Sequence, residues 1–167
     1  MQQPDNPNYN AVKDVRPFQL EEGGQLGPCW YFIKVRPGLA EFLENVSKMY
    51  ELHVYTMGTR AYANAVAQIV DPKGKYFGDR VLSRDESGST VICGYRADVV
   101  GMARKSIERL FPVDQSMVAV IDDRGDVWGW QPNLVKVMPY DFFVGIGDIN
   151  SSFLPKQVFP TVVLADF

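Results

Sequence analysis

The sequence predicts an α/β domain built on parallel strands, with helices packed on the faces of the sheet. Three observations predict it. Short runs rich in β-branched and aromatic residues recur at 30–35, 52–55, 80–83, 117–121 and 134–138. Segments with apolar residues at helical spacing separate the first four of these runs, the alternation expected of a parallel sheet. A length of 167 residues with 46% hydrophobic and 22% charged content suits one globular domain with a sizeable core.

Each element follows from local chemistry. Residues 1–28 are rich in Asn, Pro, Gln and Gly and read as an extended arm or loop. The run Trp30-Tyr31-Phe32-Ile33-Lys34-Val35 is a strand by composition. Pro37 then suits the first turn of a helix whose apolar face is Leu39, Phe42, Leu43 and Val46. The strand at 52–55 closes in the turn Thr56-Met57-Gly58-Thr59, where Thr59 caps a helix carrying Tyr62, Ala65, Val66 and Ile69 on one side. Asp71-Pro72-Lys73-Gly74 ends that helix. A short strand at 80–83 leads into a charged loop. Residues 99–110 read as a helix with Ile107, Leu110 and Phe111 as its apolar side, and the strands at 117–121 and 134–138 complete the sheet. The domain spans 29–154, and the apolar, unpatterned tail at 155–167 is left unassigned.

Composition excludes several functions. A net charge of −3 and a pI near 5.2 argue against a broad polyanion-binding surface, and so against direct nucleic-acid binding. No apolar segment is long enough to cross a membrane, and the first residues do not resemble a signal peptide. Cys29 and Cys93 lie far apart without zinc-type spacing and read as reduced thiols of an intracellular protein. Without a secretory signal, the glycosylation sequons at Asn45 and Asn150 carry little meaning. His53 is the only histidine, within a strand-like run, which argues against a Ser-His-Asp triad or a histidine metal cage. No GxxxxGK[ST] loop supports nucleotide binding.

The most informative stretch is Val118-Ala119-Val120-Ile121-Asp122-Asp123-Arg124-Gly125-Asp126. A β-branched strand ends there in two adjacent carboxylates and a glycine turn. Ligands of open α/β sheets bind beyond the carboxyl ends of parallel strands. Adjacent aspartates repel unless a cation offsets them, and Mg²⁺, which takes hard oxygen ligands beside phosphates, is the natural candidate. A solvated turn with an acidic rim is the other reading, and the local pattern leaves both open.

Several segments together resemble the RNA polymerase II C-terminal-domain phosphatases of the TFIIF-associating kind, which belong to the haloacid-dehalogenase superfamily. The matching stretches are Val35-Arg36-Pro37-Gly38-Leu39, the run from Tyr50 through Thr59, Asp79-Arg80-Val81-Leu82-Ser83-Arg84-Asp85 and Lys105-Ser106 before Arg109-Leu110-Phe111-Pro112. They continue through Val120-Ile121-Asp122-Asp123-Arg124-Gly125-Asp126-Val127-Trp128 and the run from Tyr140 through Asn150. The resemblance implies a haloacid-dehalogenase-like parallel sheet with helices on both faces. It also implies a Mg²⁺-dependent protein serine/threonine phosphatase acting in the nucleus on the phosphorylated polymerase tail, with TFIIF as a partner. Thr56 matches the hydroxyl that donates to a phosphoryl oxygen, and Lys105 the cation that neutralises the transferring group. Asp122 and Asp123 match the acidic pair, with Asp123 the direct Mg²⁺ ligand and Asp122 its partner through water or Lys105. Arg36 and Arg84 match arginines whose planar forks suit phosphate oxygens, and Tyr50 matches a tyrosine near the site. Gly145-Ile146-Gly147 reads as a tight turn.

Two departures accompany the resemblance. Members of the family begin the domain with a strand ending in Asp-x-Asp-x-Thr/Val, whose first aspartate is the nucleophile and whose second is the general acid and base. No two aspartates here are separated by one residue. The expectation is that the motif lies upstream of Met1, that the sheet is incomplete at its N-terminal central strand, and that this chain alone is inactive. A catalytically inactive fragment or pseudophosphatase that binds phosphoprotein or transcription factors is the alternative. The second departure is the run from Thr90 to Met102, which is either a real loop or untranslated sequence carried into a gene model.

Overall fold

The computed structural model describes residues 5–21, 27–87, 105–143 and the backbone of 163–166. The run from Thr90 to Met102, Cys93, Gly145-Ile146-Gly147 and Asn150 lie outside the described residues, as do positions 99–104 of the expected helix. The elements are β1 (Arg16–Leu20), β2 (Cys29–Lys34), α1 (Leu39–Val46), β3 (Val54–Tyr55) and α2 (Arg60–Val70). They continue with β4 (Val81–Leu82), α3 (Arg84–Ser87), β5 (Val120–Asp122), β6 (Leu134–Lys136) and β7 (Val163–Asp166). Single 3₁₀ turns occupy Ile107–Arg109 and Asp126–Trp128. The chain divides into two units, one comprising 1–52, 64–79 and 140–167, the other 53–63 and 80–139.

The first unit holds a three-stranded sheet in the order β1-β2-β7. Strand β2 forms where expected, and its alternation buries Tyr31 and Ile33 while Trp30 faces out. β1 falls inside the segment expected to be an arm. It pairs antiparallel with β2, from Arg16 opposite Ile33 to Leu20 opposite Cys29, and Phe18 stacks on Tyr31 at 5.3 Å. Pro17 is compatible with a strand because β1 is at the sheet edge, where a missing N–H need not break a ladder. The tail left unassigned supplies β7, parallel to β2. In α1, Gly38 takes the left-handed conformation at φ 82° just before the helix, and Leu43 is the buried residue. Phe42, expected on the apolar face, is exposed.

The second unit carries two parallel pairs, β3 with β4 and β5 with β6. The expected parallel pairing is thus present, in strands shorter than the sequence runs. Thr59 accepts the Tyr62 N–H at 3.3 Å, the expected cap of α2, whose first turns bury Ala63. His53 precedes β3 and meets Phe111 edge-on at 5.5 Å. A buried cluster of Ile107, Val127 and Trp128, with Tyr55, Val118, Val120 and Leu134 packed against it, lies under the ends of β3 and β5. The expected helix at 99–110 is, in its described part, an extended stretch at 105–106 followed by one 3₁₀ turn. Ile107, Leu110 and Phe111 are spaced as on a helix because the turn closes through Leu110 and Phe111 N–H bonds to the Ile107 carbonyl.

Candidate active site

Asp122 ends β5, and its side chain collects three donors. One oxygen accepts from Lys105 Nζ at 2.8 Å and from Trp128 Nε1 at 2.7 Å. The other accepts the backbone N–H of Arg124 at 2.9 Å. The side chains of Asp122 and Lys105 are each only 14% exposed, so the pair is held largely out of water. Burial opposes the ionised form of Asp122. The bonds from Lys105, Trp128 and the Arg124 amide outweigh it and keep the carboxyl below its ordinary range.

Lys105 is fixed from its backbone upward. Its N–H donates to the Val127 carbonyl at 2.9 Å, which ties the extended stretch at 105–106 to the turn after the acidic doublet. Its ammonium lies 5.3 Å from the Trp128 ring and 5.8 Å from the Tyr55 ring. Those two rings meet edge to face at 5.4 Å. The cation therefore sits against an aromatic wall, with Asp122 supplying its counter-charge.

Thr56 follows Tyr55 at the carboxyl end of β3, where its N–H still donates to the Leu82 carbonyl. Its hydroxyl oxygen accepts the Gly58 N–H at 3.1 Å, which shapes the turn. The Gly58 carbonyl in turn accepts the backbone N–H of Arg84 at 2.9 Å, so the first residue of α3 is anchored two residues from Thr56. Arg60 braces this corner. It donates to the Val81 carbonyl at 2.8 Å and to Glu86, while its own N–H donates to Asp85. Glu86 also accepts from the Ser83 N–H and hydroxyl.

Of the seven residues singled out in the sequence, Thr56, Arg84, Lys105, Asp122 and Asp123 fall in one unit. Lys105 and Asp122 are in direct contact, and Thr56 is the chain neighbour of Tyr55, whose ring lies 5.8 Å from the Lys105 ammonium. Asp123 is half-buried and its charge bears on Arg124. Arg36 and Tyr50 belong to the other unit. The Arg36 carbonyl accepts the Leu39 N–H at the start of α1, and Tyr50 is 53% exposed beyond the end of that helix. Sequence reasoning gave no role to Trp128, Tyr55, Arg60 or Glu86. Trp128 stood inside the stretch carrying the resemblance, but a tryptophan there reads as core.

Mg²⁺ keeps several waters and is held by one or two carboxylates together with substrate phosphate. Asp123, the carboxylate expected to ligate the ion, follows Asp122 directly on the same turn, and Asp122 itself is committed to three protein donors. Among the described residues, no group of three His, Cys, Asp or Glu side chains could enclose a metal.

The sequence matches the NLI interacting factor-like phosphatase family over residues 3–159. It is 60% identical to an RNA polymerase II C-terminal domain phosphatase of Schizosaccharomyces pombe, over 94% of this chain and 20% of that protein. It is 54% identical to the protein of the same name from Saccharomyces cerevisiae, over 92% of this chain and 22% of that one. The fold matches a single-residue variant of fission yeast Fcp1 bound to beryllium fluoride, with a TM-score of 0.72 and 58% identity. That match covers 94% of this chain and 40% of the solved one. The chain thus spans about a fifth of the length of the curated relatives it matches.

Proposed function

The chain belongs to the NLI interacting factor-like phosphatase family, with its haloacid-dehalogenase-like α/β fold, and on that premise we propose that it forms part of a protein serine/threonine phosphatase. The substrate proposed is the phosphorylated C-terminal domain of the largest RNA polymerase II subunit, the substrate class in the names of its relatives. The reading implies a nuclear protein, with TFIIF as a partner.

The observation that carries the proposal is the Lys105–Asp122 pair at the end of β5, set near the ring of Tyr55, the residue before Thr56. Phosphoryl transfer is catalysed by positioning and by charge placed where the phosphoryl oxygens develop it. Lys105 supplies a fixed cation in a poorly hydrated position. Asp122 holds that cation in place and prevents its stem from sampling other rotamers. The Thr56 hydroxyl, now accepting from Gly58, keeps its proton for a phosphoryl oxygen. Arg84, the first residue of α3, is proposed for substrate phosphate because its planar fork suits phosphate oxygens, and Arg36 and Tyr50, in the other unit, carry a substrate-binding role by the family's motifs alone. Asp123 would hold Mg²⁺, which when bound neutralises phosphate charge. Beryllium fluoride is a phosphoryl mimic, and its binding to a solved relative of 58% identity supports a phosphoryl substrate for the family.

The attacking carboxylate is not among these 167 residues, none of whose aspartates has the required partner two residues on. The reading therefore concerns the protein that carries this chain together with an Asp-x-Asp segment. Such a protein should hydrolyse a phosphoserine peptide and p-nitrophenyl phosphate only with Mg²⁺, and Asp123→Ala should abolish turnover. Metal-dependent turnover left unchanged by Asp123→Ala would refute the metal assignment.

A further inference from the structure

Trp128 is the largest side chain in the cluster beneath the site, and it is only 4% exposed. A buried indole has a single donor and no acceptor, so its N–H must find an oxygen. Here it finds neither a backbone carbonyl nor a neutral side chain. It donates to the Asp122 oxygen that also receives Lys105, at 2.7 Å against 2.8 Å for the lysine.

The two donors differ in stiffness. Lys105 reaches Asp122 on a four-carbon stem and can follow a carboxylate that turns. An aspartate is itself soft at its terminal torsion, which has broad wells. Trp128 has two torsions, and its burial in the cluster and edge-to-face contact with Tyr55 restrain both, while the 3₁₀ turn fixes the backbone that carries it. The rigid partner sets the plane of the carboxylate, and the flexible one follows. The Arg124 amide then fixes the opposite oxygen at 2.9 Å.

We propose that Trp128 is a positioning residue of this site: its indole N–H fixes which Asp122 oxygen receives Lys105, and through that bond aims the lysine ammonium. This rests on the phosphatase reading for its consequence in catalysis, but the bond itself does not. A tryptophan that served packing alone would be replaceable by phenylalanine with loss of stability and nothing more.

The test uses the protein that carries this chain with its Asp-x-Asp segment, and compares Trp128→Phe with Ile107→Val, a packing change in the same buried cluster. Trp128→Phe is expected to lower kcat on a phosphoserine peptide on the order of 10- to 100-fold with KM little changed, as orienting partners of catalytic groups do. Ile107→Val is expected to lower the melting temperature while leaving kcat per folded molecule intact. In parallel, the Trp128 indole N–H resonance should shift and exchange faster in Asp122→Asn, while those of Trp30 and Trp130 stay in place. Equal kcat per folded molecule in Trp128→Phe and the unsubstituted protein would overturn the proposal, as would an indole resonance indifferent to Asp122→Asn. If the unsubstituted protein showed no turnover at all, the phosphatase reading and the catalytic role would both fall. The resonance would then still report whether the bond exists.

Discussion

Arg60, the first residue of α2, and Glu86, within α3, are clasped through the guanidinium Nε at 2.9 Å and a second, closer nitrogen–oxygen contact. The hydrogen bonds from Arg60 and from the Ser83 hydroxyl lower the Glu86 carboxyl to about 2 from an ordinary 4.5. A depressed carboxylate stabilises the fold above its unfolded value and loses that contribution as pH falls through the folded one. The clasp should therefore hold fully above pH 4.5 and open between there and about 2. Carboxyl carbon titration by NMR checks this: Arg60→Ala should move the Glu86 midpoint back toward 4.5. A midpoint unmoved by that substitution would mean the arginine is not the cause.

Lys105→Met should leave Asp122 buried with two neutral donors and no counter-charge. Breaking a buried pair by removing one member costs about 3 kcal/mol, and the loss should appear as a lower denaturant midpoint. Adding Asp122→Asn should restore part of it, because the orphaned charge is then gone. The sign with pH follows from the direction of the shift. Since Asp122 titrates below its ordinary 3.8, its contribution is present above that value and fades as pH falls below it. Lys105→Met should weaken or reverse this dependence, because burial then opposes the Asp122 charge with only the Trp128 and Arg124 donors left to offset it. Additive effects of the two substitutions would show that the contact contributes nothing to folding.

Asp71 follows the last residue of α2 and is 7% exposed. One carboxylate oxygen accepts the N–H of Tyr76 at 2.7 Å and of Phe77 at 2.9 Å, and the other accepts that of Lys75 at 2.9 Å. The loop after the helix is folded around this one side chain. Burial works against its charge, but the three amides prevail and its carboxyl lies below the ordinary value. Asp71→Ala should cost about 2–3 kcal/mol, since three donors lose a charged acceptor and regain only partial hydration. Asp71→Asn, which keeps one oxygen, should cost less. Amide hydrogen exchange at residues 75–77 would reveal the loss locally, and unchanged protection there would contradict it.

How far the sequence could be read depended on the range over which each feature is encoded. Strands β2 through β6 were legible because each is a β-branched or aromatic run bounded by turn residues. β1 was not, because Pro17 and its polar flanks mimic a loop and only pairing with β2 makes them a strand. The expected helix at 99–110 drew on Ile107, Leu110 and Phe111, whose spacing fits one 3₁₀ turn as well as two α-turns. Lys105 and Asp122 were legible through the family's motifs. The Arg60–Glu86 clasp was not, since charges 26 positions apart have no local pattern. Trp128 was hidden for a different reason: burial and hydrogen bonding fall on one residue, and composition reports only the burial.

Gly125 supplies a final case in which the reason for a residue lies in its neighbour. As the turn residue after the acidic doublet it invites an explanation by backbone freedom, yet its φ of −69° is open to any residue. What excludes a side chain is the Trp130 ring. A Cβ at Gly125 would lie 2.6 Å from it. Trp130 itself sits at φ 56°, a left-handed conformation that a bulky residue adopts at some cost, with its N–H bonded to the Gly125 carbonyl at 3.0 Å. Gly125→Ala should therefore cost about 1–2 kcal/mol by overpacking, moderated by the ring's 66% exposure, which lets it swing outward. In a Trp130→Asn background, where the new side chain tolerates the left-handed backbone and carries no ring, the same change should become nearly neutral. Thermal denaturation of the four proteins of this cycle measures the coupling. An equal cost of Gly125→Ala in both backgrounds would show that the ring is not what requires glycine.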